Sequence, residues 1–571
     1  MIDLQKLIFS KYPYFKRVPS IVTFPLFAVA KKLIHQKDIN DFLKQHGELS
    51  AFEFIEEVLE YFDFTYKFTH NQIENIPKTG RVVIIANHPL GALDALSLID
   101  AIKNVRTDIK VVANSLLNSI NPLKDILIDV DPFENKISKD AMKLVYNSLE
   151  KEEAVIVFPS GEVSRARLKG VSDLKWHKGF LKFAKKSRSP LLPIFINSRN
   201  SLLFYIVSSI NTNLAIALLP GEMYKKRGKF LEFKIGKIIP YKSFTNTHLD
   251  IEEEVRLFKR HVYNLSRGKE EIFETEKPIA HPVERQEIIR ELKKCKILGE
   301  TTDKKQIFLY NYEKGDFAIL KEMGRLREYT FRKVEEGTGE RVDTDSYDKY
   351  YEHIILWDRD ELEIVGCYRI GKGSYIMKYY GIDGFYSNSL FRFDTSFEKY
   401  LCNSIELGRS FVQPKYWGSR ALDYLWQGIG AYLAQNPTIK YMFGPVSLSG
   451  ALSKDALNLI VAYYKHYYGS SGSLVESRVP FVINRNEKEE INKVFTFKDK
   501  TKDFLILRKQ LKLFNTAVPT LYKQYTELCE DGGIEFLGFN IDKDFNNCVD
   551  GLILVDIAEI RPNKKERYIK Y

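Results

Sequence analysis

A histidine and an aspartate six positions apart, His88 and Asp94, stand in the stretch Asn87-His88-Pro89-Leu90-Gly91-Ala92-Leu93-Asp94, directly after the apolar run Val82 to Ala86. A histidine whose ring is oriented by a carboxylate can take the proton of a hydroxyl while that oxygen attacks a carbonyl carbon, a contribution of about 10²–10⁴ in rate. Pro89 keeps His88 out of helical geometry, and Gly91 permits a tight turn. Asp94 can then sit in the first turn of a helix, where a carboxylate suits the dipole. On one continuous helix, residues six apart do not share a face, so the turn is what would bring the pair together. About seventy residues further on, Phe158-Pro159-Ser160-Gly161-Glu162-Val163-Ser164-Arg165 follows a second apolar run, Ala154 to Val157. Arg165, with Arg167 or Lys169, can hold an anionic head group or a phosphate.

A second constellation lies in the other half of the chain. Ser404-Ile405-Glu406-Leu407-Gly408-Arg409-Ser410-Phe411-Val412 reads as a strand carrying an unusual Glu and Arg. The turn Gln413-Pro414-Lys415-Tyr416-Trp417-Gly418-Ser419-Arg420 follows, and then a helix from about Leu422 to Gln435. A strand, a basic glycine-containing turn and a helix N-terminus together form an anion cradle. A structural ion pair between Glu406 and Arg409 is the plainer alternative. Tyr441 to Ser447 reads either as the lining of an apolar tunnel or as ordinary core.

These residues need elements to position them. Strand-like runs at Val82–Ala86, Lys110–Ala113, Ala154–Phe158 and Leu191–Ile196 alternate with longer mixed segments, which predicts an α/β domain with a largely parallel sheet. Both N-terminal motifs then fall on the rim where strands end and loops begin. The stretch 267–302 is dense in Glu, Lys and Arg, contains Pro278 and Pro282, and reads as a charged connector. Strands are expected again at Ile307–Tyr310, His353–Trp357 and Leu362–Arg369. The expected division is therefore 1–266, a connector, and 303–571.

A chain of 571 residues is too long for one ordinary core. Its 44% apolar and 28% charged residues describe a folded, soluble or peripheral protein. The net charge of +11 implies an anionic partner. No zinc-knuckle spacing or RNA-binding signature is present, which favours an anionic membrane surface over nucleic acid. Five widely spaced cysteines without a CxxC pair suggest free thiols in a reducing cytoplasm and no metal site. The N-terminus lacks a signal-peptide pattern. Val18 to Ala30 holds two prolines and is too short to span a bilayer, and Leu202 to Leu219 is interrupted by Asn211-Thr212-Asn213. Both are flanked by basic residues and read as interfacial or buried segments.

The His88 and Ser160 motifs together resemble motifs I and III of the PlsC-like lysophospholipid and glycerol-phosphate acyltransferase family over roughly residues 60–240. Five residues separate His from Asp here, against four in the common pattern, and Ser160-Gly161-Glu162 replaces the usual Glu-Gly-Thr. Both departures match a divergent branch that includes hemolysin-named and ornithine-lipid acyltransferases. The segment around Glu406-Leu407-Gly408-Arg409-Ser410 resembles the GNAT superfamily, in particular its ornithine-lipid and acyl-homoserine-lactone synthase branch, over roughly 305–556. The strict GNAT glycine pattern is not met. The resemblance implies a PlsC-like α/β domain followed by a GNAT-like α/β domain, fused as a bifunctional aminolipid synthase. The GNAT-like domain would N-acylate an amino acid, ornithine or glycine, with a 3-hydroxyacyl group from acyl carrier protein or coenzyme A. The PlsC-like domain would then esterify the hydroxyl of that lyso-lipid.

In that scheme His88 is the base and Asp94 its orienter, with Ser160, Gly161, Glu162 and Arg165 on the substrate. Glu406 positions or deprotonates the amino group, Arg409 contacts either the acceptor's carboxylate or the carrier's phosphate, Ser410 contacts the substrate, and Lys415, Trp417, Gly418 and Arg420 hold the donor phosphate. No tightly bound cofactor or metal is expected, and the protein would lie on the inner face of the cytoplasmic membrane. The alternatives are a phospholipid acyltransferase with a non-catalytic C-terminal domain, and a membrane-binding protein of hemolysin type.

Overall fold

The computed structural model describes residues 27–28, 31–32, 34–114, 120–130, 138–167, 170–210, 212–245, 249–315 and 317–569. The apolar segment Val18–Ala30 lies outside these apart from Phe27 and Ala28, as does Lys169. The chain forms two compact units, 1–278 and 279–571.

Among the described residues the first unit has nine strands: β1 (Thr65–Lys67), β2 (Val82–Ala86), β3 (Ile109–Asn114), β4 (Leu127–Val130), β5 (Ala154–Val157), β6 (Arg165–Arg167), β7 (Gly170–Ser172), β8 (Leu191–Asn197) and β9 (Phe230–Ile235). Seven of them form one sheet in the order β1-β9-β8-β2-β5-β3-β4, while β6 and β7 make a separate hairpin. Pairing is parallel from β8 through β2, β5 and β3 to β4, and β9 runs antiparallel to β8. Such a sheet must be covered on both faces, so its central strands read as continuous apolar runs. Every residue of β2 and β5 is buried. Along β2, Val82, Ile84 and Ala86 pack with Leu93, Leu98 and Ile102 of the helix Ala92–Lys103. Val83 and Ile85 point the other way, toward Phe180, Leu181 and Phe258. His88 and Ser160 follow the C-terminal ends of two neighbouring strands, β2 and β5.

Leu202–Leu219 forms parts of two helices, Leu202–Ile210 and Thr212–Tyr224. On the first, Leu202, Ile206 and Ile210 recur at a spacing of four and are 75%, 51% and 80% exposed. Among the described residues no helix is long and apolar enough to cross a membrane.

The second unit contains β10 (Lys296–Glu300), β11 (Gln306–Asn311), β12 (Glu352–Asp358), β13 (Glu363–Lys372), β14 (Phe391–Phe393), β15 (Ser404–Val412), β16 (Tyr441–Leu448), β17 (Val475–Ser477), β18 (Ile534–Asp542) and β19 (Cys548–Asp556). Eight strands form a sheet in the order β10-β11-β12-β13-β15-β16-β19-β18. All neighbours are antiparallel except β15 and β16. Alternation sorts the core into two layers. Ile354, Leu356 and Val365 pack with Trp426 and Ile429 of the helix Ala421–Gln435, whereas Ile355, Trp357 and Ile364 pack with Ile319, Met323 and Leu326 of the helix Ala318–Lys333. The charged stretch 267–302 holds the helix Arg285–Leu292 and β10, both within the second unit. Ile288 and Leu292 of that helix are buried in this unit's core, so its charges line one face of a packed element.

Two features shape β15. Its pairing with β16 covers only Ser404↔Tyr441 to Glu406↔Phe443, after which the strands part. Its pairing with β13 shifts register between Cys367 and Arg369, a bulge at which Arg409 adopts φ +47°.

Candidate active sites

The turn after β2 brings His88 Nδ1 to 3.2 Å from Asp94 Oδ1, an ion-pair contact whose alignment falls short of a hydrogen bond. Asp94 lies in the first turn of its helix and is fully buried, and its Oδ2 accepts from the Leu90 N–H at 2.8 Å. Gly91 makes the turn possible at φ +104°, a conformation that L side chains rarely adopt. The His88 side chain is 18% exposed and tilts against the Phe158 ring at 4.3 Å. Burial opposes protonation of the imidazole, but the carboxylates of Asp94 and Asp173 outweigh it, and the net shift is upward from the ordinary histidine value.

Asp173 is the residue that sequence reasoning missed. It accepts from the His88 N–H at 3.2 Å, from Ser164 Oγ at 2.5 Å and from Trp176 Nε1 at 2.8 Å. It thereby ties the His88 turn to the segment that follows Ser160. A second tie runs from Asn87, whose side chain exchanges two hydrogen bonds with the backbone of Ile196.

Ser160 is buried and donates to the Glu162 carbonyl at 2.7 Å, which makes it a brace of its own turn. Gly161 adopts φ +63°. Glu162 meets Arg165 Nη2 at 3.2 Å, and Arg165 Nη1 is buried without a hydrogen-bond partner. Arg165 follows Ser164, whose N–H donates to the His88 carbonyl at 2.7 Å, and an orphaned guanidinium nitrogen is a ready contact for an anionic oxygen.

In the second unit Glu406 is fully buried. Its Oε1 accepts from the Ser387 N–H at 2.6 Å and from Ser387 Oγ, and its Oε2 accepts from the Tyr386 N–H at 3.1 Å and from Tyr351 Oη. Burial raises its carboxyl above the ordinary value, although these hydrogen bonds pull the other way. Glu406 and Arg409 do not pair with each other. Arg409 Nη1 reaches Asp343 Oδ2 at 3.4 Å and Nη2 lies 3.6 Å from Asp345 Oδ2, while Nε is buried without a hydrogen-bond partner.

Behind it lies a buried ionic network. Arg327 and Arg369 both reach Asp348 Oδ1, at 2.9 and 3.2 Å, and Arg369 reaches Asp345 at 2.6 Å. Burial alone would raise Asp348, but the two guanidinium groups hold it well below the usual carboxylate range. Breaking such a buried network is costly, because each removal leaves an uncompensated charge. The spacing Asp343-Thr344-Asp345-Ser346-Tyr347-Asp348 was a visible signal for it in the sequence.

Of the expected phosphate contacts, Lys415 pairs with Glu361 and Glu363 at 2.6 and 2.8 Å, and Arg420 lies 3.6 Å from Asp423. Trp417 is half exposed and donates from Nε1 to the Val412 carbonyl at 2.8 Å. Gly418 turns the chain at φ +78° before the helix. The cradle's cations are thus already engaged by carboxylates. Ser410 lines a cavity next to Arg409.

A base-type histidine on a parallel-sheet rim in one unit, and a bulged strand parted from its parallel neighbour in the other, are sites suited to acyl transfer. Residues 14–270 match the acyltransferase family and residues 326–427 match the acetyltransferase (GNAT) domain family. The lyso-glycine lipid O-acyltransferase of Bacteroides thetaiotaomicron is 30% identical over 43% of this chain and 90% of its own length. The glycine N(alpha)-acyltransferase of the same organism is 29% identical over 50% of this chain and 90% of its own length. An L-ornithine N(alpha)-acyltransferase of Agrobacterium fabrum is 26% identical over 43% of this chain and 76% of its own length. The chain belongs to the amino-acid-lipid acyltransferases, with a PlsC-like domain first and a GNAT domain second. It is an acyltransferase of aminolipid synthesis carrying two acyltransferase domains.

Proposed function

We propose that this chain makes a diacylated amino acid lipid in two steps. The second unit N-acylates glycine with a 3-hydroxyacyl group carried as a thioester on acyl carrier protein. The first unit transfers another acyl chain to the hydroxyl of that product. The observation that carries the reading is the fusion itself: one half aligns with nearly all of a lyso-glycine lipid O-acyltransferase and the other with nearly all of a glycine N-acyltransferase. Glycine is favoured over ornithine because the glycine N(alpha)-acyltransferase aligns over 90% of its own length and the L-ornithine N(alpha)-acyltransferases over 80% of theirs or less. Holding both activities in one chain raises the effective concentration of the lyso-intermediate at the second site.

In the esterification His88 takes the proton of the 3-hydroxyl as its oxygen attacks the thioester carbonyl, and Asp94 steadies the imidazolium. Arg165, with its orphaned Nη1, takes an anionic oxygen of the lipid head group or donor, and Ser160, Gly161 and Glu162 shape the turn that presents it. In the amidation Glu406 fixes the wall around the acceptor, and Arg409 and Ser410 take its carboxylate. The thioester enters where β15 and β16 part, with its phosphate at the turn of Lys415, Trp417, Gly418 and Arg420, where it must compete with Glu361, Glu363 and Asp423 for the two cations. The exposed stripe Leu202, Ile206 and Ile210, beside the exposed Arg199, Lys225 and Arg227, suits a peripheral anionic membrane surface.

Lipid mass spectrometry of a bacterium expressing the intact chain tests this directly. A new diacylated glycine lipid is expected. Rescue of a lysophosphatidate acyltransferase defect with no new aminolipid would contradict it.

A further inference from the structure

Where β15 leaves β16, the second unit encloses a cavity of about 110 Å³, lined in part by Pro445, Val446 and Ser447 from the segment read in the sequence as either tunnel lining or core. Arg409 and Ser410 stand on one wall. Asp550 of β19, directly opposite Ser447 of β16 in the sheet register, stands on another, and Glu336 lies nearby. Phe331, Tyr386 and Phe545 contribute apolar surface. Asp550 is 2% exposed and accepts from Ser447 Oγ at 2.6 Å. A carboxylate placed in an otherwise apolar strand, Cys548-Val549-Asp550-Gly551-Leu552-Ile553, costs folding free energy unless a partner compensates it. Glu406, by contrast, does not line this cavity, and its oxygens are taken up by Tyr351, Tyr386 and Ser387.

The cavity sets a guanidinium bearing an unpartnered buried Nε against three carboxyl groups, Glu336, Asp542 and Asp550. That is the complement of a zwitterion.

Resting on the reaction proposed above, we infer that this cavity receives the amino acid, its carboxylate against Arg409 and its nitrogen against Asp550, and that Asp550 takes the proton which makes the nitrogen nucleophilic. The ammonium gives one proton to Asp550. The resulting amine forms the N–C bond to the thioester carbonyl carbon, the C–S bond breaks, and the departing sulfur takes a second proton from nitrogen to leave as a thiol. Asp550 then releases its proton to solvent.

The electrostatics fit a base working near neutrality. Burial raises Asp550, Asp542 adds to the rise, and the Ser447 hydrogen bond and Arg409 oppose it, leaving it at about 7. Burial and the charge of Asp550 bring Glu336 to about 7 as well. Tyr386, Tyr522 and Cys548 also feel the Asp550 charge, and all three are pushed up, above the range in which they would ionise beside it. Asp550 must be ionised to accept a proton, so N-acylation should fall as pH drops through about 7.

The test uses the full chain with glycine and a 3-hydroxyacyl thioester of acyl carrier protein, assayed across pH. Asp550→Asn should lower kcat/KM for glycine by about 100-fold or more, with O-acylation of supplied lyso-lipid retained. Glu336→Gln should move the acid limb of N-acylation to lower pH, because a neighbouring carboxylate no longer disfavours ionisation of Asp550. Asp550→Asn turning over within threefold of the parent protein would overturn the inference, as would an acid limb unmoved in Glu336→Gln. A parent protein that acylates no amino acid would instead overturn the reaction on which the inference rests.

Discussion

In the first unit the two key side chains, His88 and Asp94, come from one turn and the start of the helix after it. In the second, Glu406 meets groups from positions 351, 386 and 387, and Arg409 meets carboxylates at 343 and 345. The first site is local in sequence and partly open, with its histidine 18% exposed. The second is assembled over long range, with Glu406 and Arg369 each 1% exposed. The difference matches the two chemistries proposed for the units. An ester-forming site must admit a bulky lipid hydroxyl to a single base. An amide-forming site must hold a small zwitterion, and for that it needs fixed charges of both signs kept away from water, where they act most strongly.

This contrast can be broken experimentally, and the largest effect should come from His88. His88→Ala is expected to lower O-acyl transfer by about 10²–10⁴-fold while N-acyl transfer stays at the parent rate, both followed by mass spectrometry of the two products. Glu406→Gln should do the reverse, costing N-acylation roughly 100-fold with O-acylation intact, when each half-reaction is supplied with its own substrate. Asp173→Asn sharpens the picture, since Asp173 holds the His88 turn without facing substrate. A fall of about 10-fold in the O-acyl kcat, with little change in KM, is the expected steady-state result.

Smaller still is the pH effect. His88 must be neutral to accept a proton, and its value is shifted upward, so O-acylation should fall as pH drops, with the acid limb lying above the ordinary histidine value of about 6.5. Asp94→Asn removes the nearest carboxylate and should move that limb down by about 1 unit or more in a pH–rate profile. Least dramatic is the apolar stripe. Leu202→Asp with Ile210→Asp should weaken sedimentation with anionic vesicles severalfold, while turnover of detergent-dispersed substrate is unaffected.

The same contrast explains what the sequence could disclose. Val82–Ala86 and Ser404–Val412 were legible as strands because a strand buried on both faces is a continuous apolar run, and because Glu and Arg stand out within one. His88 and Asp94 were legible because Pro89 and Gly91 announce the turn that joins them. Asp173 was not, because it is a single aspartate in an unremarkable loop, and only the fold carries it back to the His88 N–H. The Glu406–Arg409 ion pair was a reasonable local guess, yet the bulge at Arg409 turns its guanidinium toward Asp343 and Asp345. The charged stretch 267–302 read as a linker because its helix is polar on most positions, and only the burial of Ile288 and Leu292 reveals the packed face.

The central claim is that one chain performs two separable acyl transfers in order. The most direct test is to express His88→Ala in a bacterium that makes no aminolipids and analyse its lipids. The account predicts accumulation of the mono-acylated, 3-hydroxyacyl amino acid lipid with the diacylated form absent. Loss of both lipids from cells containing the folded variant, or the diacylated lipid at parent levels, would contradict it.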